Sequence, residues 1–273
     1  MAFGSSPIKK FMKDILVIYH GNCPDGFTGA WAAWRKLGET ADYFGATYEK
    51  PPPAASGKTI YLIDFSYKPT VMKQLVAANK RVIAIDHHKT AAESAHLAQE
   101  SRYDLNHSGA ALAWEYFHPD KKIPRLVAHV EDVDLFRFKL PESTAVSYYL
   151  ELYPFTFANW NEIEAALEDD VRRAEALAIG RIAGRFEDQL VRRLVETYAD
   201  KVEFEGFETL VLNGPRFLSS HIGHELVKIK PPIAVVWSER RGRKVFSLRS
   251  DGSVDVSQIA VKYGGGGPPG AGG

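Results

Sequence analysis

The sequence predicts an α/β protein with a doubly wound parallel sheet domain, a helical connector and a smaller C-terminal α/β domain with a mixed sheet. Three observations carry this reading. Short apolar, β-rich runs alternate with helical patterns through the first half, which is the signature of parallel strands buried under helices. Residues 161–200 are an almost unbroken stretch of helix formers with mixed charge. Beyond residue 200 strand patterns resume. The expected boundaries are 1–150, 151–203 and 204–273.

The elements follow in order. "ILVIY" (15–19) is a first buried strand, and "FTGAWAAWRKL" (27–37) spaces its large apolar residues as a helix does. "KPPPAASGK" is a loop of breakers. "TIYLIDF" (59–65) is a second strand, "KPTVMKQLVAANK" a helix opened by proline, and "RVIAIDHH" (81–88) a third strand. "SGAALAWEYF" (108–117) and "PRLVAHVEDVDLF" (124–136) read as further helices. The apolar spacing of 161–200 is not a clean heptad, so it reads as a connecting helix rather than a coiled coil. "KVEFEGFETLVLNG", "IAVVWSER" and "KVFSLRS" are strands, with "SSHIGHELVK" and "DVSQIAVKYG" as helices among them. The last stretch is "YGGGGPPGAGG".

Composition narrows the function classes. Lys plus Arg and Asp plus Glu number 34 each, so no global field draws the protein to nucleic acid or membrane. The single cysteine forms no internal disulfide, which suits a reducing cytoplasm. No apolar run approaches the roughly 20 residues of a membrane helix, and the first residues lack a signal-peptide core. The expectation is a soluble cytoplasmic protein without membrane or disulfide partners, as a monomer or homo-oligomer.

Each early strand ends in potential metal ligands. The first gives His20 and Asp25, the second Asp64, and the third Asp86, His87 and His88. A later helix adds Asp132 and Asp134 in "VEDVDLF". One Asp after a strand is most often a cap or turn residue. Three successive strand ends of this kind converge on one rim of a parallel sheet, where ligands bind. Carboxylates and imidazoles crowded together repel or stay protonated unless a cation sits among them. An oxygen-rich set with some imidazoles suits Mn²⁺, with Mg²⁺ or Co²⁺ as alternatives. The ligand count suffices for two metals about 4 Å apart, the arrangement that hydrolyses phosphoesters.

With these motifs quoted, the chain resembles the DHH phosphoesterase family. "HGNCPDG" resembles its first motif, Asp64 the second, "DHHKT" the third and "VEDVDLF" the fourth. "FSLRS", "DVSQIA" and the glycine-rich tail resemble the family's DHH-associated C-terminal domain. The resemblance implies metal ligation by His20, Asp25, Asp64 (the shared carboxylate), His87 and Asp132, with Asp134 the alternative to Asp132. It implies that His88 faces the substrate phosphate and that Asp86 orients the loop. It implies substrate binding by Arg249 and the glycines 265, 266 and 267 (Gly265, Gly266, Gly267). His107 is a weaker candidate, because Ser108 beside it reads as a helix cap.

Two positions depart from the family pattern. Cys23 stands where an aspartate is usual, either as a softer ligand or as a packing residue, with Asn22 as its neighbouring candidate. Pro268 stands where the family's GGGGH histidine would be, and the sequence ends at Gly273, before the family's usual final strand.

The function implied is metal-dependent hydrolysis of phosphodiester or phosphomonoester bonds in short oligonucleotides, linear dinucleotides or nucleoside bisphosphates. The alternatives are an inorganic pyrophosphatase or exopolyphosphatase, and a nucleotide-binding protein with little activity.

Overall fold

The first strand forms as expected, β1 (Ile15–His20), and its apolar residues divide between two cores. The side chain of Val17 packs on one face of the sheet, while Leu16 and Ile18 pack on the other. The structure, a computed structural model, describes residues 13–47, 50–240, 242–267 and 269–273. After β1 come α1 (Pro24–Leu37), β2 (Ala41–Ala46), β3 (Thr59–Ile63), α2 (Pro69–Ala78) and β4 (Arg81–Asp86). The short α3 (Ala92–Ala95), β5 (Glu100–Tyr103), α4 (Gly109–Phe117), α5 (Arg125–Asp134), α6 (Ser143–Glu151), α7 (Phe157–Glu168) and α8 (Asp170–Tyr198) follow.

The five strands form one parallel sheet in the order β2-β1-β3-β4-β5. Met72 and Leu75 of α2 cover one face, against Ile60, Leu62 and Val82. The other face is covered by a larger core built around Trp31, Trp114, Leu126 and Trp160 from α1, α4, α5 and α7. β2 and β5 were not expected. Both are edge strands, half exposed, so "ADYFGA" and "ESRY" carry no continuous apolar run to betray them.

The helical stretch 161–200 contains a break. Asp169 is extended between α7 and α8, and its Oδ1 accepts the N–H groups of Val171 (3.1 Å) and Arg172 (2.9 Å). The charge pair "DD" in the sequence is therefore partly a cap. The chain divides into two compact units, one ending at Arg181 and the other running from Ile182 to Gly273. The division falls within α8.

The second unit comprises the C-terminal part of α8, β6 (Asp200–Phe204), β7 (Phe207–Asn213), α9 (Ser219–Ile229), β8 (Ile233–Arg240), β9 (Arg243–Ser250), α10 (Val256–Lys262) and β10 (Ala271–Gly272). Its sheet order is β10-β9-β8-β7-β6. β7 and β8 are parallel across α9, and the other pairs are antiparallel. The mixed sheet is as the sequence predicts. α9 packs on one face through Ile222 and Leu226, and α10 on the other through Val256 and Ile259.

Candidate metal centre

The strand order places the site. From β1 the chain crosses first to β2 on one side and then to β3 on the other. Such a switch point opens a crevice outside the carboxyl ends of the two strands. His20 closes β1, and Asp64 follows β3 directly. Asp25 lies in the first turn of α1, which sits close to the strand exit because Gly26 has no side chain. A Cβ there would collide with the His20 carbonyl. Asp64 adopts a left-handed backbone (φ 54°), with its N–H donating to the Ile85 carbonyl at 2.9 Å. Asp tolerates this conformation better than most residues, and the turn swings its carboxylate into the crevice.

Two groups of ligand atoms result. One nitrogen of His20, one nitrogen of His88 and an oxygen of Asp64 lie within 4.8 Å of one another; so do atoms of Asp25, His87 and Asp134. His20 Nδ1 is 3.3 Å from Asp64 Oδ2. His87 Nε2 is 3.2 Å from Asp64 Oδ1, 3.4 Å from Asp134 Oδ2 and 3.8 Å from Asp25 Oδ2. Asp64 therefore joins the two groups.

The surrounding residues hold these side chains in place. Asp86 is completely buried. Its Oδ1 accepts the N–H groups of His87 (2.8 Å) and His88 (3.1 Å) and the Nδ1–H of His88 (2.9 Å). Its Oδ2 accepts the Ser66 hydroxyl at 2.7 Å. Three of its four hydrogen bonds thus orient the histidine loop, and the fourth anchors Asp86 to Ser66. Asp25 is clamped at the start of α4, where Gly109 N–H reaches Oδ2 at 2.7 Å and Ala110 N–H reaches Oδ1 at 3.0 Å. These are donors that a helix start leaves unsatisfied.

Titration behaviour follows from the crowding. Burial, with the charges of Asp64 and Asp134, pushes the Asp25 carboxyl well above its usual range. Burial and Asp64 push Asp134 up to about 6. Burial opposes the charge on Asp64 too, but the neighbouring imidazoles of His20 and His87 hold it down to about 2. Burial works against a charged His88, yet Asp86 and Asp64 raise it to about 9. Protons stand in here for positive charge.

The donor set fits divalent cations. Asp64 Oδ1 and His87 Nε2 are buried and have no hydrogen-bond partner, although they face each other. Leaving such atoms unpaired is costly. Carboxylate and imidazole together suit Mn²⁺, Mg²⁺ or Co²⁺.

Several expected site residues lie elsewhere. Asp132 does not join the cluster, and Asp134 takes that place. The carboxylate of Asp132 faces the opposite way, accepting the N–H groups of Lys139 (2.9 Å) and Leu140 (3.1 Å) and the Ser143 hydroxyl (2.6 Å). Spacing alone does not separate the two, because both fall in the last turn of α5. Cys23 is in neither group. It precedes α1 and lines a small, mostly apolar cavity of about 80 Å³ with Val130, Val133 and Leu150, whose wall also includes Asp25 and Asp134; its thiol is pushed up by burial and by Asp64 and Asp25. Asn22 is exposed, in a left-handed backbone. His88 was expected toward substrate; it stands with His20 and Asp64. His107 pairs with Glu131 Oε2 at 3.2 Å, beside Ser108, which caps α4.

In the second unit, Arg249 is half-buried and donates to the Leu248 carbonyl at 2.7 Å. Of the glycine run, Gly265 donates its N–H to Ala260 (2.9 Å), and Gly266 exchanges both backbone bonds with Gly273 (3.0 and 2.9 Å). Those two N–H groups are used in folding the tail back, not presented to a ligand. Gly267 adopts a left-handed backbone (φ 136°). Pro268 lies outside the described residues. Ser66 and Gly109 escaped the sequence reading. The one available hint was a glycine at the first position of a helix, just after its cap.

No family model matches the chain. An uncharacterized protein of Acanthamoeba polyphaga mimivirus, R106, is 30% identical over 92% of this chain, which spans 65% of that protein's length. Among solved structures, the DHH domain of a member of the S1p family of ribosomal proteins aligns with a TM-score of 0.63 at 13% identity, covering 95% of this chain and 82% of that one. The pGpG-specific phosphodiesterase PggH of Vibrio cholerae aligns at 0.53 and 16% identity, covering 95% and 92%. RecJ of Thermus thermophilus in complex with Mn²⁺ aligns at 0.53 and 17%, covering 94% and 49%. The chain has the two-domain α/β fold of the DHH proteins.

Proposed function

We propose that this chain, DHH-type in fold and motifs, is a metal-dependent phosphoesterase acting on small nucleotide substrates. The observation that carries the proposal is the pair of ligand groups joined by Asp64, with Asp64 Oδ1 and His87 Nε2 left without partners. His20, Asp64 and His88 would hold one divalent cation, and Asp25, His87 and Asp134 a second. Divalent cations there supply Lewis acidity toward a phosphoryl oxygen and make water nucleophilic near neutral pH.

The chain's own residues hold the side chains that would bind the cations. Asp86 locks the ring of His88 through Nδ1, so the other nitrogen keeps one direction. The helix start at Gly109 and Ala110 holds both oxygens of Asp25. Hydrolysis then adds water oxygen to phosphorus and breaks the bond to the leaving oxygen, which departs with a proton.

Small substrates are favoured by the balanced charge of the chain, since long strands call for a basic channel. The fold-mate PggH is a pGpG-specific phosphodiesterase, and RecJ has been seen with Mn²⁺, which supports a divalent cation in the site; Mn²⁺ is the metal this reading takes. No helix among the described residues is long and apolar enough to cross a membrane.

The test is metal analysis of the purified protein, followed by release of mononucleotide from linear dinucleotides with Mn²⁺. Asp64→Ala should lose both bound metal and turnover. Wild-type turnover in that variant refutes the assignment, and phosphate release from pyrophosphate or polyphosphate alone replaces the nucleotide reading with a polyphosphate one.

A further inference from the structure

We propose that a cavity walled by α1, α5 and α7 binds a nucleoside monophosphate whose base carries an exocyclic amino group, at a site separate from the metal centre. The cavity has a volume of about 650 Å³. Its walls include Arg35 of α1, Lys121 and Lys122 of the connection from α4 to α5, Arg125 and His129 of α5, and Glu142. None of the cluster ligands lines it. The site therefore stands whether or not the metal centre hydrolyses phosphoesters.

The chemistry of the cavity starts from the hydrogen bonds of His129, which is 5% exposed. The Asp132 carboxylate only accepts, so the Ser143 hydroxyl donates to its Oδ2 at 2.6 Å. The Ser143 oxygen then accepts from His129 Nδ1 at 3.0 Å. This chain sets the tautomer, with the ring hydrogen on Nδ1. Burial lowers the pKa of the ring below its ordinary value, so the ring is neutral near pH 7.

Nε2 is left as an acceptor. It stands 3.9 Å from Glu142 Oε2, a second acceptor, and Arg173 Nε lies 3.9 Å from the same oxygen. Nε2 and Oε2 are too far apart for a hydrogen bond, and neither has a hydrogen to give the other. Both residues line the cavity. A group with two N–H donors answers both acceptors at once.

Elsewhere the walls are positive. Arg35 and Arg125 are matched by Glu164 (3.6 Å) and Glu168 (3.7 Å). Lys121 and Lys122 have no ion-pair partner among the described residues. Trp114, 4% exposed, forms part of the wall, and its Nε1 is a donor without a partner. Buried donors are rarely left so.

A phosphate answers the two lysines. The amino group of adenine has the two hydrogens that His129 and Glu142 lack, and the ring nitrogen beside it is an acceptor. A free amino acid carries similar charges but would fill only a small part of the about 650 Å³, a volume suited to larger ligands.

The test is calorimetric titration of the whole chain with adenosine 5′-monophosphate and inosine 5′-monophosphate. The inosine nucleotide has a carbonyl oxygen in place of the amino group, and that oxygen would face two acceptors. Wild type should bind the adenosine nucleotide about tenfold more tightly. In Glu142→Leu this preference should be lost. In Lys121→Ala/Lys122→Ala both nucleotides should weaken alike, by about tenfold, with the preference kept. Asp64→Ala should keep both affinity and preference. Equal binding of the two nucleotides by wild type, or binding of neither, overturns the site without any variant. An undiminished preference in Glu142→Leu or unchanged affinity in the lysine variant also overturns it. Loss of binding in Asp64→Ala would move the nucleotide to the metal centre and overturn the separate site. If no phosphoester is turned over while the preference persists, the reaction reading falls and this site stands.

Discussion

Replacing Gly109 with Ala tests whether the helix start and the carboxylates form one unit. A Cβ at this position would lie 2.5 Å from Asp64 Cβ, 2.9 Å from Asp64 Cα and 2.9 Å from Asp25 Oδ2. The shortest of these is about 1 Å inside ordinary van der Waals contact. Asp64 is pinned by its backbone bond to Ile85 and Asp25 by two N–H groups of α4, so neither yields freely. Overpacking of this kind costs about 1–3 kcal/mol, against a helix-propensity gain of at most about 1 kcal/mol. The net effect on stability should be a loss of up to about 2 kcal/mol, lowering the melting temperature by several degrees at most. The effect on metal affinity should be larger, about 10–100-fold weaker, because the groups around a metal site set the direction of its ligands. Calorimetric titration with Mn²⁺, read beside a thermal melt, separates the two. As a control, Gly270→Ala meets nothing within 4 Å and should leave both unchanged. A Gly109→Ala protein with wild-type metal affinity would show that α4 does not press on the cluster, and the reasoning would fail.

Two further outcomes follow from the same geometry. Asp132→Ala should lower stability by about 1–3 kcal/mol, since it strands two backbone donors and a hydroxyl, while Asp134→Ala should lose one metal equivalent with no loss of metal-free stability; melts and metal analysis on the pair would refute this if the two patterns were exchanged. Hydrogen bonds hold the Asp132 carboxyl below its ordinary range, so its contribution is full above the unfolded value of about 4 and is lost as pH falls through the folded value; in acid titration, Asp132→Asn should flatten that part of the stability curve, and an unchanged slope would count against it. Metal binding near pH 6 should release protons, because Asp134 is held up to about 6 and Asp25 is pushed well above its usual range by burial and its carboxylate neighbours; a binding enthalpy independent of buffer ionisation would contradict the crowded carboxylates.

The sequence by itself determined the first sheet's three central strands, the rim on which His20, Asp64 and His87 meet, and the mixed sheet of the second unit. Those features are local. A strand buried on both faces must be apolar throughout, and a residue directly after a parallel strand has its position set by that strand. What failed to show locally was decided by the tertiary structure. The edge strands β2 and β5 need little apolar surface, so nothing in "ADYFGA" or "ESRY" announced them. The break at Asp169 depends on caps that look like any charged helix face. Asp132 and Asp134 are two residues apart on one helix turn, and rotation of α5 about its axis aimed one at the loop and the other at the cluster. Cys23 lies beside Asp25 and Asp134 at a small cavity yet belongs to neither ligand group. The glycine run looked open to a ligand, but an unbranched backbone also lets the tail pair with itself. Spacing fixes which residues lie near a strand end; only packing fixes which way each side chain faces.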